Sequence, residues 1–538
     1  MRTWCWAAAV AVAGLLPGTV SAQPAKAVEP TVEVRFRSLN DLLDKGSYLG
    51  GLFDQEDGVT QVRELIKLLS AEGKGILGID AARPIGAYGI LTADVGNSPA
   101  VLMLPIADRA QFLKELKDRA GIEPTDAGKG VQKAFIPILN EAYFTFADDY
   151  LFAARDPKHL DAKLRVSPKA FFDKADGSVA SVVARLDRVP ADLRTLVTGQ
   201  LEHQLKEKQR ADAGGKRPAE LKLEGFVFDG LVGSVKSVVD EGKELAVRVF
   251  VDEKKDEVSA VLSLDAKPGS GLAKTIAGLG GKTSVPAAIV KSANPVISAT
   301  GKLALTDEMR AKFEPVLKAL FEDVAANSGD RGAAERVLEA FAPTAKAASV
   351  DAAVTLLGPD AKGKHALLAA VAVKEGGEFV KLAKEFAGFI PGDVATITFD
   401  VEKVGAFSVH KVELGQVDAG VDRVFGTKTF WLATSDEVFA VGIEPDGKAL
   451  KAGLKAAPVS VPVASGTVAL TRAVPLFNEN LRPDEAKALI RDAFGAAGPA
   501  GRDTVTLTID GGAALTARLV VKGGAVKFGR ALDAFNKK

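Results

Sequence analysis

Phe112-Leu-Lys-Glu-Leu-Lys-Asp-Arg-Ala-Gly121 occurs a second time in this chain, 267 positions later, as Phe379-Val-Lys-Leu-Ala-Lys-Glu-Phe-Ala-Gly388. Five of the ten positions are identical. In both copies the apolar residues have the three- and four-residue spacing of an amphipathic helix. A repeat with so long a period predicts that the chain consists of two similar halves.

Strand-like runs lie on both sides of this helix and recur in the same order. They are at Ile85–Thr92, Ala100–Ile106 and Tyr143–Ala154 in the first half, and at Val350–Leu357, Ala366–Val373 and Phe430–Val441 in the second. By the last of these matches the second copy has gained twenty residues. The excess falls at Ala395–Gln416 and predicts an added or lengthened hairpin.

Each half also ends on a pair of strands whose apolar residues alternate with polar ones. The pairs centre on Leu245–Leu264 and Val505–Val521. Strands joined by short turns, with helices between them, predict an α+β fold in which helices pack on mostly antiparallel sheets. We therefore expect a tandem duplication, with a first half at residues 23–285, a second half at residues 295–538 and the boundary near Thr283–Pro295.

The first 22 residues have the pattern of an export signal. A basic Arg2 precedes an apolar run that ends before Val20-Ser21-Ala22, and small residues of this kind are what a signal peptidase accepts. The run is shorter than the roughly 20 apolar residues that span a bilayer. We predict cleavage after Ala22 and a periplasmic or extracellular protein with no transmembrane segment. The single cysteine, Cys5, lies within the signal, so the mature chain is cysteine-free.

Composition narrows the classes of partner. Lysine plus arginine and aspartate plus glutamate both number 69, and this balance argues against a nucleic-acid partner. The 538 residues exceed what one core holds, and 47% are hydrophobic, so we expect a folded protein of two or more domains. The 27 Phe greatly outnumber the 4 Tyr and 3 Trp, which disfavours a carbohydrate-binding cleft.

Several common catalytic and metal-binding motifs are missing from the sequence or incomplete in it. The Gly-x-Ser-x-Gly pattern and Asp-rich calcium loops do not occur, and Gly280–Thr283 has only the tail of a phosphate-binding loop. The four histidines lie far apart, and His410, within an alternating run, is expected to point to solvent. We assign no catalytic residue, no metal site and no cofactor.

Adjacent carboxylates at Asp148 and Asp149 are the most conspicuous acidic pair. Asp149 recurs in the second half as Asp436. Neighbouring residues on a strand point to opposite faces, and aspartate favours turns. A turn present in both halves therefore explains the pair better than catalysis does.

The segment Gly78-Ile-Asp-Ala-Ala-Arg-Pro-Ile-Gly-Ala-Tyr-Gly89 is the most unusual in the chain. Pro84 restricts Arg83 to extended geometry, and the glycines allow close backbone approach. One interpretation is a ligand loop in which Asp80, Arg83 and Tyr88 contact the ligand. The other, which we favour, is a strand entry with a buried Asp80–Arg83 pair. The second half keeps the aspartate, as Asp351, and lacks the arginine.

The segments Gly78–Gly89 and Tyr143–Ala154, after an export signal, resemble those of exported bacterial proteins of unknown function that carry tandem α+β repeats. The resemblance extends over most of the mature chain. It implies a paired α+β architecture and no particular catalytic or binding residue.

Three functions are compatible with the sequence. The first is a non-catalytic exported protein that acts by surface interaction or as an envelope scaffold, with an envelope protein as partner. The second is a carrier of an apolar ligand such as a lipid, in a Phe-lined cavity between sheet and helices. The third is a hydrolase that uses dispersed carboxylates. The lining of the largest cavity would distinguish them.

Overall fold

The computed structural model of the chain describes residues 29–53, 70–71, 75–136, 140–173, 176–211, 218–304, 307–327, 331–347, 349–388, 390–478 and 481–537. The predicted signal at residues 1–22 lies outside these residues. Contacts divide the chain into a first unit, residues 1–199 with 238–270, and a second unit, residues 200–237 with 271–538.

The first unit contains most of the short strands. Its strands are β1 Val32–Phe36, β2 Ser70–Ala71, β3 Gly75–Ile76, β4 Ile85–Gly89, β5 Ala100–Pro105, β6 Thr125–Asp126, β7 Gln132–Ile136, β8 Asn140–Ala147, β9 Tyr150–Ala154, β10 Ala180–Arg185, β11 Gly242–Asp252 and β12 Glu257–Ala266. Its helices are α1 Leu39–Leu52, α2 Arg109–Ala120 and α3 Pro168–Phe172; α4 Ala191–Ala211 and α5 Pro218–Glu241 run across the division between the units.

The second unit has more helices. Its strands are β13 Lys282–Ser284, β14 Ile297–Ala304, β15 Ser349–Leu357, β16 Ala366–Ala372, β17 Ala395–Val404, β18 Phe407–Leu414, β19 Thr429–Thr434, β20 Val438–Ile443, β21 Val459–Val461, β22 Ala464–Ala469, β23 Thr504–Asp510 and β24 Leu515–Lys522. Its helices are α6 Gly271–Leu279, α7 Val285–Val290, α8 Asp307–Asn327, α9 Arg331–Lys346, α10 Gly376–Ala387, α11 Ala419–Phe425, α12 Lys448–Gly453, α13 Leu470–Phe477, α14 Pro483–Phe494 and α15 Gly523–Asn536.

Each unit contains a series of ten antiparallel strands. In the first unit neighbouring strands follow the order β12-β11-β10-β1-β4-β5-β9-β8-β7-β6. In the second unit the order is β24-β23-β22-β14-β15-β16-β20-β19-β18-β17. When the ten strands of each series are numbered in chain order, both series run 10-9-8-1-2-3-7-6-5-4. The predicted α+β class with antiparallel sheet is confirmed.

The repeated sequence forms a helix in both units, as its apolar spacing predicts. In the first unit Asp108 caps α2 by accepting a hydrogen bond from the Gln111 backbone N–H at 2.9 Å. Phe112 then packs in a cluster with Phe144 and Leu151 on one face of the sheet. The repeated glycine differs between the copies, because Gly121 ends α2 at φ 64° whereas Gly388 follows α10 at φ −66°.

The opposite face of each sheet is covered by short helices. In the first unit Phe171 of α3 packs with Tyr88 and Met103. In the second unit Ile289 of α7 and Leu450 of α12 belong to the largest buried cluster. These side chains are almost fully buried, so both faces of the sheet contribute to the core.

The predicted boundary between the halves and the predicted extra hairpin can both be compared with the structure. Residues 282–290 lie within the second unit, because β13 pairs with β21 and α7 packs on β15 and β16. The predicted boundary at Thr283–Pro295 lies after the change of unit between Ser270 and Gly271. The hairpin predicted at Ala395–Gln416 is confirmed, since β17 and β18 pair along most of their length.

Candidate functional site

Arg83 lies at the edge of a pocket of ≈ 420 Å³ in the first unit. Its guanidinium carbon is 4.6 Å from the centre of the Tyr150 ring, a cation–π arrangement. Its nearest carboxylate is that of the exposed Asp149, at 3.8 Å, which is beyond hydrogen-bonding distance. Arg83 is therefore oriented by the face of the Tyr150 ring. The prediction that Arg83 forms a buried ion pair with Asp80 is wrong.

The other two residues of the predicted ligand loop lie outside this pocket. The Asp80 carboxylate accepts a hydrogen bond from the Ala82 backbone N–H at 3.0 Å and so shapes the turn before β4. Tyr88 is 1% exposed, and its hydroxyl accepts from the Val166 N–H at 3.3 Å. Burial raises the pKa of Tyr88. Of the three residues, only Arg83 is accessible to a ligand in the pocket.

The wall of the pocket is aromatic and its rim is charged. Tyr150 and Phe172 stack with ring centres 5.7 Å apart and planes at 23°. The Tyr150 hydroxyl donates to the Pro84 carbonyl at 3.1 Å, and burial raises the pKa of Tyr150, so it stays protonated near neutral pH. Charged lining residues come from the β8–β9 turn and from α3: Asp148, Lys169 and Asp173.

His410 is buried, which corrects the expectation that it points to solvent. It is 2% exposed, and its Nδ1 accepts from the Asp400 backbone N–H at 2.9 Å. Its Nε2 then carries the proton and faces the Thr434 hydroxyl at 3.2 Å. Thr434, His410 and Asp400 thus resemble a catalytic triad in residue type. The tautomer is wrong for a general base, because the nitrogen beside the hydroxyl is already protonated.

A second cluster of polar side chains joins β13, β14 and β15. The Ser284 hydroxyl donates to Asp351 Oδ1 at 2.5 Å and accepts from the Ala287 N–H at 3.0 Å, capping α7. Lys302 Nζ donates to Asp351 Oδ2 at 2.7 Å. Ser284 is 1% exposed, so its hydroxyl is not available to attack a substrate. This cluster holds the fold together.

An apolar groove of ≈ 620 Å³ lies in the second unit. Two rows of residues, each paired across four strands, form its floor. One row is Gly301, Ala352, Val371 and Phe439. The other is Ala299, Val354, Ala369 and Val441. Among the described residues, none that lines the groove is charged, and Thr300 supplies the sole polar side chain.

Half of the residues in the two floor rows have small side chains, glycine or alanine. The corresponding strands of the first unit, β1, β4, β5 and β9, carry the row Val34, Ala87, Leu102 and Ala153. Val34 and Leu102 are larger than the glycine and alanine residues of the second unit. Sequence analysis missed this site because alternating Ala and Val predict half-buried strands equally well whether or not a helix covers them.

Neither a metal-binding cluster nor a membrane-spanning helix is found in the described part of the chain. There, no three His, Cys, Asp or Glu side chains are placed to hold a metal ion. The helices in the same residues are all too short or too polar to cross a membrane.

Comparison with known proteins places this chain in no family. No protein-family model, no curated protein and no solved structure matches it.

Proposed function

We propose that the protein is a non-catalytic binding protein that takes up an apolar chain, such as that of a lipid, in the groove of the second unit. The observation that carries this proposal is a groove of ≈ 620 Å³ with no charged residue among the described residues that line it. Small-molecule sites have volumes of roughly 300–1,000 Å³ and mostly apolar walls. A ligand that fits here has an aliphatic part and no charge within the groove.

Sequence analysis favoured surface interaction over the carrier, and the groove is the observation that supports the carrier. A Phe-lined cavity was expected for a carrier, whereas Phe439 is the one phenylalanine among the described residues that line the groove. The other residues of the floor are Gly, Ala and Val. Narrow side chains let an extended chain lie close to the sheet backbone, where it gains contact over its whole length.

The hydrolase alternative has less support. A nucleophile must be accessible and next to a group that takes its proton. Ser284 is buried with its hydroxyl engaged as donor and acceptor, and His410 presents a protonated nitrogen to Thr434. Both clusters are occupied by structural hydrogen bonds.

Solvent extraction of the purified mature protein, followed by mass spectrometry, tests the proposal. We expect a co-purifying lipid, and saturable uptake of a fluorescent long-chain fatty acid by the extracted protein. Val371→Asp places a carboxylate in the groove and should lower uptake at least about tenfold, since an unpaired charge is disfavoured beside an apolar ligand.

Leu507→Asp is the matched control. Leu507 is 45% exposed and Val371 36%, yet Leu507 does not line the groove. Equal losses for the two variants, or a lipid-free protein that takes up no fatty acid, would contradict the proposal.

Surface interaction with an envelope protein is the second candidate. It is favoured by apolar side chains of the first unit that are exposed on strands: Leu102, Val182, Val247 and Leu262. Exposed apolar patches mark interaction surfaces. Under this function Val182→Asp would reduce the fraction of protein that sediments with isolated envelopes and would leave fatty-acid uptake unchanged.

We also propose that the halves arose by duplication of one α+β unit. The support is the equal number and equal neighbour order of the two strand series, together with the repeated helix. A crystal structure in which one half had a different strand order would refute it.

Export is part of the same proposal. We expect the intact mass of the native protein to correspond to residues 23–538, and to be found in the periplasm or the medium. A native protein that retains Met1 would contradict export by cleavage after Ala22.

A further inference from the structure

We infer that the pocket beside Arg83 is a second binding site, for a small zwitterion with a flat apolar body, the chemistry of an aromatic amino acid. The pocket has a volume of ≈ 420 Å³ and lies wholly in the first unit. It is separate in lining residues from the groove, so the inference does not depend on the proposed function.

The guanidinium of Arg83 is positioned to bind a carboxylate. The Tyr150 ring holds it from one side at 4.6 Å. Its ion pair with Asp149 spans 3.8 Å to a carboxylate that is 83% exposed, so that pair contributes little. The planar fork of N–H donors is therefore available for the bidentate hydrogen bonds that arginine makes with carboxylates.

The remaining charged side chains around the pocket have both signs. Within the described residues, Asp148, Lys169 and Asp173 make no side-chain hydrogen bond or ion pair. Of the described residues, two cations and two carboxylates thus line this cavity without neutralising one another through contact. An anion would meet two carboxylates there, and a cation would meet two basic groups. A zwitterion can satisfy both signs at once.

The aromatic wall of the pocket favours a ligand that also has a flat apolar group. Tyr150 and Phe172 are stacked at 5.7 Å and present an apolar surface between the charges. Flat apolar groups pack well on such faces in offset or edge-on arrangements. A benzyl group would have this contact, whereas glycine would have only the polar contacts.

Titration calorimetry on the mature protein tests the inference with three related compounds. Phenylalanine carries both charges, 3-phenylpropionate lacks the ammonium group, and phenethylamine lacks the carboxylate. We expect saturable binding of phenylalanine. Each single-charge compound should bind at least about tenfold more weakly than phenylalanine, because one charged hydrogen-bonding contact is lost.

Two variants separate the ends of the ligand. Arg83→Gln should weaken phenylalanine and 3-phenylpropionate about tenfold and leave phenethylamine unchanged. Asp173→Asn should weaken phenylalanine and phenethylamine and leave 3-phenylpropionate unchanged. Both positions are at the surface, so the variants should fold, and circular dichroism checks that they do.

Arg119→Gln is the control, because Arg119 is an exposed arginine of the same unit that pairs with Glu115 and does not line the pocket. It should change no affinity. The inference is overturned if folded wild-type protein gives no saturable heat with millimolar phenylalanine, if 3-phenylpropionate binds as tightly as phenylalanine, or if the two variants weaken all three compounds alike.

Discussion

The backbone N–H of Asp400 donates a hydrogen bond of 2.9 Å to Nδ1 of His410. Asp400 lies at φ 54°, at an irregular point of β17 where the pairing with β18 shifts register. A neutral imidazole is needed, because a protonated Nδ1 cannot accept. The ring therefore stabilises a backbone conformation that aspartate adopts infrequently.

We predict that stability falls as the pH is lowered from about 7 to 5.5. Burial lowers the pKa of His410, and it also lowers the pKa values of His365 and His159. The unfolded chain, with histidine pKa values near 6.5, then binds more protons than the folded chain in this window. Stability is thus full above about pH 7 and is lost as the pH falls below 6.5. Thermal unfolding at several pH values measures it.

His410→Gln isolates the contribution of one histidine. A glutamine oxygen can accept from Asp400 and its NH₂ can donate to Thr434, without titrating. The variant should have a smaller drop in melting temperature between pH 7 and 5.5 than the wild type, and a residual drop from His365 and His159. An unchanged pH dependence would exclude His410 as its source.

The buried position of His410 shows where strand alternation fails as a predictor. Phe407 and Val409 alternate with it, and such alternation indicates one solvent-facing side. In the structure Phe399 packs edge-on against the imidazole at 5.6 Å, and Thr434 lies beyond it. Both faces of β18 are covered here, and nothing within the strand itself records what lies opposite.

Gly86→Ala should destabilise the protein by about 1–3 kcal/mol, the range for overpacking a core. A Cβ at this position would lie 2.5 Å from the ring of Phe171 and 3.0 Å from that of Phe172. The sequence predicted close backbone approach at this glycine. Denaturant unfolding measures the free-energy change.

Gly89→Ala is the control in the same strand. Its Cβ would meet only the Pro99 carbonyl at 3.7 Å, an ordinary contact. We expect a change of no more than about 0.5 kcal/mol, of either sign, because alanine also restricts the unfolded chain. Equal destabilisation by the two substitutions would show that the Phe171 contact does not matter.

Local elements were predictable here and long-range arrangement was not. The repeated helix and the terminal hairpins follow from apolar spacing over a few residues. The placing of β1 between β4 and β10 depends on pairing between residues as distant as Val34 and Val182. The groove has the same origin, since Gly301 and Phe439 lie far apart in sequence and share one row. No local pattern encodes such contacts.

Lys302→Met should destabilise the protein by about 3 kcal/mol. Asp351 is 4% exposed, and without Lys302 its carboxylate keeps, among the described residues, only the Ser284 hydroxyl as a side-chain donor. Removing one partner of a buried ion pair typically destabilises by about 3–5 kcal/mol, and the partial exposure of Lys302 places this case at the lower end. Lys381→Met breaks the exposed pair with Glu378 and should change stability by less than about 0.5 kcal/mol.

Asp149 and Asp436 occupy matching positions in the repeat and both lie in the loop of a hairpin. Their backbones differ. Asp148 and Asp149 have φ 51° and 58°, the left-handed pair of a type I′ turn between β8 and β9. Asp436, in the longer loop between β19 and β20, does not have a positive φ. The predicted recurrence of a turn is confirmed, and its conformation is not shared.

Because the two backbones differ, substitution by glycine should have opposite effects on stability at Asp149 and Asp436. At Asp149 a Cβ in the left-handed region is unfavourable by about 1–2 kcal/mol. Glycine stabilises the unfolded chain by a smaller amount, roughly 0.4–1 kcal/mol. Asp149→Gly should therefore stabilise the folded protein by about 0.5 kcal/mol. Loss of the 3.8 Å ion pair with Arg83 offsets little of this. At Asp436 only the unfolded-chain effect remains, so Asp436→Gly should destabilise by about 0.5–1 kcal/mol. Chemical denaturation of both variants gives the two signs, and equal signs would mean that the strain at Asp149 is relieved by its neighbours.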